Sequence, residues 1–295
     1  MVALETTLAA HGFPEGEGAA VAAAAERAVR AGGAVPATVG VLDGLVRVGL
    51  GPAELERIAR AGPDARKAGP RDLAAAAAQR ALGATTVGGT LVAARLAGIR
   101  VMATGGLGGV HRGFPSPPDV SADLLELART PAVVVSAGVK SLLDVAATAE
   151  ALETLGVPVL GWRTDALPRF YSALGGPPVS ARVDTAEEAA AVAAAHWGLG
   201  GGGILLGRPP DDGLEDIEPL IERAVAEAAK AGVVGKDVTP FVLDRLHRES
   251  GGRTMRANRA LVVANARLAG EVATAISGMG RKPARKAPNP PGTVN

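Results

Sequence analysis

The sequence predicts an α/β fold, in which a largely parallel (mixed) sheet lies between two layers of helices as a three-layer α/β/α sandwich. Short runs of valine, isoleucine and leucine alternate with longer alanine-rich or amphipathic segments, which is typical of strand–helix–strand units. Glycine-rich turns follow several of the apolar runs, as expected where strands end. The chain has 295 residues without a repeat or a linker, so we expect residues 1–277 to form a single domain.

The strands are predicted from short apolar runs bounded by turn residues. Pro36–Leu42 ends at Asp43-Gly44, a dipeptide that favours a hairpin turn, so Leu45–Val48 is expected to pair antiparallel with it. The other apolar runs lie between helical segments and should be buried strands: residues 2–8, 99–103, 132–136, 156–162 and 204–206.

The helices are predicted from their 3.6-residue periodicity and from capping residues. The segments are residues 18–31, 52–61, 71–82, 91–96, 184–195, 216–231, 237–248 and 253–276, with further helices beginning near Asp119 and at Ser141. Residues 278–295 are basic and rich in proline, and we expect them to be a disordered tail because they have little apolar surface to bury.

Composition excludes several classes of function. A net charge of +1 and an aromatic content of 2% argue against nucleic-acid and anionic-membrane binding. The absence of cysteine excludes disulfides and fits a reducing compartment, and four scattered histidines disfavour zinc. There is no signal-peptide pattern, and glycines interrupt the alanine-rich run 189–207, so we expect a soluble, cytoplasmic protein.

The first candidate for chemistry is Lys140, which directly follows a buried strand. Ser141 and Asp144 have the spacing of a capping box, so a helix is predicted to begin just after the lysine. An ammonium ion is disfavoured at a helix N-terminus. We therefore predict an amine nucleophile with a lowered pKa; the alternative from this placement alone is an ordinary surface lysine.

Three further stretches place polar groups near the expected strand ends. Glu5 lies in an otherwise apolar first strand, where it either faces water at an edge or points into a site with a raised pKa. Lys67 and Arg71 flank a Gly-Pro break before a helix, where they could hold a phosphate or simply face solvent. Asp119 and Asp123 have the spacing to share a helix face and to hold Mg²⁺ or Mn²⁺; helix capping by Asp119 is the competing role.

The glycine run 104–109 does not match a known nucleotide motif. A dinucleotide fingerprint starting at Gly106 would need glycine in place of His111, and there is no phosphate-binding-loop lysine. The run instead predicts a tight turn with close backbone approach to a ligand. Together with residues 84–90 and 137–140, it should lie at the carboxyl ends of the strands, where ligands bind in such sheets.

The motifs taken together resemble the pseudouridine-5′-phosphate glycosidase (indigoidine synthase A-like) family. The matching segments follow the family's order over nearly the whole chain, and the most specific of them are ATGGLGGVHRG (103–113), DVSADLLEL (119–127) and SAGVKSLLD (136–144). The resemblance implies reversible cleavage of pseudouridine 5′-phosphate to uracil and ribose 5-phosphate by a homotrimer with small-molecule substrates.

The resemblance also implies roles for individual residues. Lys140 matches the nucleophile, Glu5 the proton donor, and Asp119 the ligand of one Mn²⁺ per subunit, with Mg²⁺ as the alternative ion. The positions that match substrate contacts are Lys67, Val87, Ser121, Ala122 and Asp123, with Thr104 and His111 in the glycine loop and Asn258 in the C-terminal asparagine segment, where Asn265 is the alternative.

This chemistry agrees with the residue types. A carbon–carbon glycosidic bond offers no heteroatom leaving group for an ordinary pair of carboxyls to protonate, whereas an amine that ends as an imine provides an electron sink. Two other functions stay open: a different phosphosugar lyase or aldolase that uses the same lysine, and a sugar-phosphate sensor without catalysis. Binding alone needs neither Glu5 nor Lys140, which argues against the sensor.

Overall fold

A ten-stranded mixed sheet forms the centre of the computed structural model, which describes residues 1–14, 16–115, 118–233 and 238–279. A separate two-stranded sheet is formed by β7 and β9. The strands are β1 (Val2–Leu4), β2 (Pro36–Leu42), β3 (Leu45–Val48), β4 (Arg66–Ala68), β5 (Gly83–Thr85), β6 (Val101–Ala103), β7 (Val110–His111), β8 (Val133–Ser136), β9 (Leu143–Asp144), β10 (Val159–Trp162), β11 (Ala181–Val183) and β12 (Ile204–Gly207).

The strand order places the first strand near the middle of the large sheet. Seven neighbouring strands, β11-β10-β12-β8-β6-β1-β2, are all parallel. Beyond them β2 pairs antiparallel with β3 and with β5, and β5 pairs parallel with β4. The predicted hairpin between β2 and β3 is therefore confirmed, and the carboxyl ends of β1, β6 and β8 are brought side by side.

Helices cover both faces of the sheet, as the sequence predicts. They are α1 (Thr7–His11), α2 (Gly18–Ala31), α3 (Pro52–Ala61), α4 (Leu73–Ala78), α5 (Val87–Leu96), α6 (Ala122–Arg129), α7 (Val145–Thr154), α8 (Ala186–Gly198), α9 (Glu218–Lys230), α10 (Val238–Glu249) and α11 (Arg253–Met279), with a 3₁₀ turn at Gly62–Asp64.

The side chains of β8 show how the two outer layers pack on the sheet. Val133 and Val135 are buried in the core that includes α2 and α11, whereas Val134 is buried in the core that includes α5, α6 and α7. This alternation follows from the two-residue period of a strand. A strand that is buried on both faces must be apolar at every position, which explains its continuous run of valines.

The long helix α11 is a core helix. Its length and hydropathy would suffice to cross a membrane, and it is the one such helix in the described part of the chain. It packs instead against α2, α8 and β6 and buries residues such as Leu268, Ala269 and Val272 in the sheet core. The helix extends to Met279, so it includes the first two residues of the predicted tail; residues 280–295 lie outside the described part of the chain.

Several predicted boundaries near the site are wrong. The first strand ends at Leu4, so Glu5 follows the strand and does not lie within it. The helix expected near Asp119 begins at Ala122, with Ser121 as its N-cap. The helix expected at Ser141 begins at Val145, because residues 143–144 pair with β7 instead.

Candidate active site

Two concavities meet where β1, β6 and β8 end, and they share the side chains of Glu5, Thr7, Lys67 and Lys140. The apolar pocket, of about 60 Å³, is lined mainly by carbon atoms. The polar cleft, of about 690 Å³, is the larger of the two. Residues found only in the apolar pocket include Leu8, Thr104, Gly105, Phe170, Leu243 and Asn258. Residues found only in the polar cleft include Arg66, Arg71, Thr86, His111, Asp119, Ser121, Ala122 and Asp123.

Glu5 is a buried carboxyl on the shared wall, with 8% of its surface exposed. The Thr104 hydroxyl donates a hydrogen bond to its Oε1. Burial raises the pKa of Glu5, and this outweighs the attraction of Lys140 and the hydrogen bond from Thr104, which both lower it. Of the two alternatives left by the sequence, the buried one is therefore confirmed. A carboxyl that holds its proton to higher pH than usual can act as a general acid.

The two asparagines of α11 have different surroundings. Asn265 is fully buried, and its Nδ2 donates to the carbonyl oxygen of Thr104 at 2.9 Å, so it supports the backbone of the glycine loop. Asn258 lines the apolar pocket, whereas Asn265 lines neither concavity. Among the described residues, the buried Oδ1 of each asparagine has no hydrogen-bond partner. Asn258 therefore has the geometry of a ligand contact, whereas Asn265 has the geometry of a loop support.

Lys140 lies in a turn and not at a helix N-terminus. Asp144 is the N-cap of α7, where its side chain accepts a hydrogen bond from the backbone N–H of Ala147 at 2.9 Å. The capping box predicted from Ser141 is therefore wrong, and the helix dipole is not the reason for the placement of the lysine. Lys140 is half-buried and contributes to the walls of both concavities.

The backbone before Lys140 is held against the glycine loop. The Lys140 N–H donates to the carbonyl oxygen of Leu107 at 3.1 Å, and the Leu107 N–H donates to that of Gly138 at 2.9 Å. Gly138 has a φ of +80°, and a Cβ there would lie 1.9 Å from the carbonyl oxygen of Pro168. Only glycine fits this position, so the path of the chain into Lys140 is fixed.

Two glycines of the loop are required by neighbouring side chains. A Cβ on Gly106 would lie 2.6 Å from the ring of Phe170 and 3.2 Å from Cγ of Lys140. A Cβ on Gly108 would lie 2.4 Å from Oγ of Ser121. The glycines predicted to approach a ligand therefore also let the loop pack tightly against the walls of the site.

Asp123 links the glycine loop to the N-terminus of α5. Its Oδ1 accepts a hydrogen bond from the Gly88 N–H at 2.7 Å, and its Oδ2 accepts one from the Gly108 N–H at 3.1 Å. Ser121 caps α6 by accepting from the Asp123 N–H at 3.2 Å. Both residues line the polar cleft. Val87 is the first residue of α5 and is buried, and it lines neither concavity.

Asp119, the carboxylate predicted to hold a metal ion, lines the polar cleft. It precedes α6, so the predicted helix face shared with Asp123 is wrong. Its side chain is 34% exposed and lies 3.7 Å from Nδ1 of His111, whose pKa is lowered by burial. The described residues contain no group of three or more metal-ligating side chains. One carboxylate is enough only for an ion that keeps most of its water ligands. Mg²⁺ and Mn²⁺ can bind in this way.

Besides Lys140, three cationic side chains line the polar cleft. Lys67 lies on β4, and Arg66 and Arg71 flank it in sequence. Lys67 and Arg71 both line this cleft, but the side chain of Arg71 is 93% exposed, so a phosphate-binding role for the pair stays a prediction. Phe170, which contacts the glycine loop, was not predicted from the sequence, because it belongs to an irregular segment without a periodic signal.

Comparison with known proteins identifies relatives over nearly the full length of the chain. The family profile described as "Indigoidine synthase A like protein" matches residues 1–275. A protein from Sorangium cellulosum named pseudouridine-5′-phosphate glycosidase is 47% identical over 286 residues, which cover 96% of this chain and 90% of that protein. One of the same name from Thermus thermophilus is 50% identical over 280 residues, or 94% and 98% of the two chains.

Two solved structures have the same fold. The prealnumycin C-glycosynthase AlnA, in complex with ribulose 5-phosphate, matches with a TM-score of 0.86 and 43% identity, covering 96% of this chain and 93% of the other. An indigoidine synthase A-like protein from Thermotoga maritima matches with a TM-score of 0.84 and 38% identity, covering 92% and 91%. The predicted α/β fold is thereby confirmed.

Proposed function

This chain belongs to the indigoidine synthase A-like protein family, and on that premise we propose that it is a C-glycosidase that cleaves pseudouridine 5′-phosphate to uracil and ribose 5-phosphate. The observation that carries the proposal is the meeting of the buried Glu5 carboxyl and the Lys140 amine on the wall shared by the apolar pocket and the polar cleft. The similarity to a C-glycosynthase in complex with a pentulose phosphate supports the same class of chemistry.

The first step opens the ribose ring. Glu5 donates its proton to the ring oxygen, and the bond between that oxygen and C1′ breaks. This role requires a carboxyl that holds its proton, and burial, which raises the pKa of Glu5, favours the protonated form. The Thr104 hydroxyl, which donates to Oε1, leaves the other carboxyl oxygen to carry the proton.

The second step exchanges the carbon–carbon bond for a carbon–nitrogen bond. The Lys140 amine adds to C1′, after which the bond from C1′ to the uracil ring breaks. The bonding electrons and one proton go to the uracil carbon, and C1′ remains joined to Nζ as an imine. Water then hydrolyses the imine to release ribose 5-phosphate and regenerate the amine.

The direct test is to incubate the protein with pseudouridine 5′-phosphate and Mn²⁺ and to follow uracil by chromatography. Uracil and ribose 5-phosphate should appear in equal amounts. Formation of a different product from this or another phosphosugar would favour the alternative lyase or aldolase. Binding of the nucleotide without any product would favour the sensor.

We expect the substrate to require its 5′-phosphate. Lys67 and the neighbouring arginines offer the phosphate charge-assisted hydrogen bonds, which are worth about 1.5–3 kcal/mol each. Each should contribute more than about tenfold to kcat/KM. Pseudouridine should therefore react at least tenfold less efficiently than its 5′-phosphate.

The variant Lys67→Met tests the source of this preference. It should lower kcat/KM for the phosphorylated substrate but leave that for pseudouridine nearly unchanged. The control is Lys230→Met, which removes an exposed lysine at the end of α9. Equal kcat/KM for the two substrates in the parent protein would contradict the prediction.

We also expect a divalent metal ion to be required, with Asp119 as its protein ligand. A hard cation there would neutralise anionic groups of the substrate. EDTA should abolish uracil release, Mn²⁺ should restore it, and Asp119→Asn should not recover at ordinary metal concentrations. The exposed Asp212 provides the control substitution Asp212→Asn. Full activity of Asp119→Asn in chelator would remove the metal assignment.

We propose that the protein is a cytoplasmic homotrimer. Apolar side chains on β3 remain exposed in the single chain, with Leu45 58% exposed and Val46 and Val48 each 38% exposed, and such surface is commonly covered by another copy. Sedimentation equilibrium should give three times the mass of one chain. A stable monomer at micromolar concentration would contradict the trimer.

A further inference from the structure

One arginine side chain, Arg112, forms hydrogen bonds with the backbone that follows Lys140. Arg112 follows β7, and its Nη2 donates to the carbonyl oxygen of Ser141 at 2.9 Å while its Nε approaches that of Leu143 at 3.4 Å. These two carbonyls belong to the three residues that directly follow the lysine. The planar guanidinium presents its donors to both of them in one fixed geometry, which the freely rotating ammonium of a lysine does not.

A carboxylate joins this arginine to a second one. Glu218, the first residue of α9, accepts from Arg112 at 2.7 Å through Oε1 and pairs with Arg169 at 2.8 Å through Oε2. The three side chains are only partly exposed, at 27% for Arg112, 33% for Glu218 and 30% for Arg169. A carboxylate is also favourable at the positive end of a helix.

The second arginine holds the chain on the other side of the lysine. The backbone of Arg169 forms a bridge with Gly138, and the N–H of Phe170 donates to the carbonyl oxygen of Ala137 at 2.9 Å. The backbone at Arg169 therefore contacts the residues before Lys140, and the side chain of Arg112 contacts the residues after it. Glu218 forms an ion pair with each of the two arginines.

We propose that Arg112, Glu218 and Arg169 are positioning residues that fix the Lys140 amine for attack on C1′. This inference rests on the proposed function of Lys140. None of the three side chains lines the apolar pocket or the polar cleft, so they act on the reaction through the turn. A small misplacement of a reacting group can cost about a hundredfold in rate, whereas ion pairs that are partly exposed contribute little to stability.

Two substitutions separate positioning from support of the fold. Glu218→Gln removes the central charge at nearly constant size, and Arg112→Lys keeps a charge but loses the planar fork. The matched control is Glu227→Gln on the same helix, where Glu227 pairs with Arg245 at 2.8 Å without contact to the turn. For each variant, kcat and KM for uracil release, the rate of adduct formation with borohydride, and the melting temperature are measured.

Both variants should lower kcat and the rate of adduct formation at least about tenfold, with KM changed by less than about threefold. Melting temperatures should stay close to that of the parent, and the control should match the parent in every readout. The double variant should be no worse than the more affected single variant, because Glu218 acts through Arg112.

If Glu218→Gln has the kcat of the parent, the inference is overturned. It is also overturned if kcat falls together with the melting temperature, because a merely structural role would produce that result. Should Arg112→Lys not fold, Glu218→Gln decides the question. A parent protein that releases no uracil and forms no adduct would instead contradict the proposed function. If the parent protein releases uracil and forms the adduct, and both variants do so at the same rates, only the positioning role is contradicted.

Discussion

Replacing Lys140 with alanine is expected to reduce uracil release by roughly a hundredfold or more, since the variant lacks the amine proposed to form the imine at C1′. The variant should still bind ribose 5-phosphate, because Lys67 and the glycine loop remain in the site. Lys140→Arg should fail as well, because a guanidinium stays protonated and cannot become an imine. Steady-state kinetics and a binding titration with ribose 5-phosphate distinguish lost chemistry from lost binding.

Trapping of the covalent intermediate identifies the nucleophile directly. Borohydride added during turnover, or with ribose 5-phosphate alone, should reduce the imine and attach one pentose phosphate to the protein. Peptide mapping should place it on Lys140. An adduct on Lys67, which also lines both concavities, would exchange the roles of the two lysines. Activity of Lys140→Ala above a few per cent of the parent would contradict the covalent mechanism.

The second large effect is expected from Glu5→Gln, which keeps the size of the side chain but has no acidic proton to donate. Loss of a general acid typically costs about 10²–10⁴-fold in rate, so kcat should fall by this amount. In the parent, kcat/KM should fall as the pH rises through the raised pKa of Glu5, since the carboxyl then loses its proton. The pH profile of the residual activity of Glu5→Gln should lack this fall at alkaline pH.

The same substitution should stabilise the folded protein at neutral and higher pH. Because burial raises the pKa of Glu5 in the folded state, its contribution to stability is fully present below the unfolded pKa and is lost as the pH rises through the folded one. The difference in melting temperature between Glu5→Gln and the parent should therefore grow with pH across this window. Glu54→Gln, which removes an ion pair with Arg47, is the control and should give no such gain. A difference that does not change with pH would contradict a buried, neutral Glu5.

Local sequence signals were sufficient to predict the bounds of elements whose first and last residues are marked by capping or turn residues. The helix Gly18–Ala31, the hairpin strands Pro36–Leu42 and Leu45–Val48, and the helix Pro52–Ala61 have the predicted bounds. Each combines a clear period with a terminating glycine, an Asp-Gly turn or a proline at the first position. The alternation of these elements was also enough to predict the layered α/β architecture.

The sequence failed where a distant partner decides the local structure. Leu142 and Leu143 suggest an apolar helix face, but Leu143 and Asp144 pair with Val110 and His111 in the small sheet. The helix consequently begins at Val145, where Asp144 caps it. Pairing between segments about thirty residues apart leaves no periodic signal in either one, so no local rule could have found it.

The type of fold and the residue types at the strand ends could be predicted from the sequence alone, and the resemblance added the positions of Glu5 and Lys140. The three-dimensional contacts were needed to show that Glu5 is buried with Thr104 as its donor and that Asn258 lines the pocket while Asn265 supports the loop. Burial and hydrogen bonding depend on chain segments far apart in sequence. The pKa of a carboxyl and the orientation of an amine depend on those surroundings. The surroundings form only when the folded sheet brings the strand ends together.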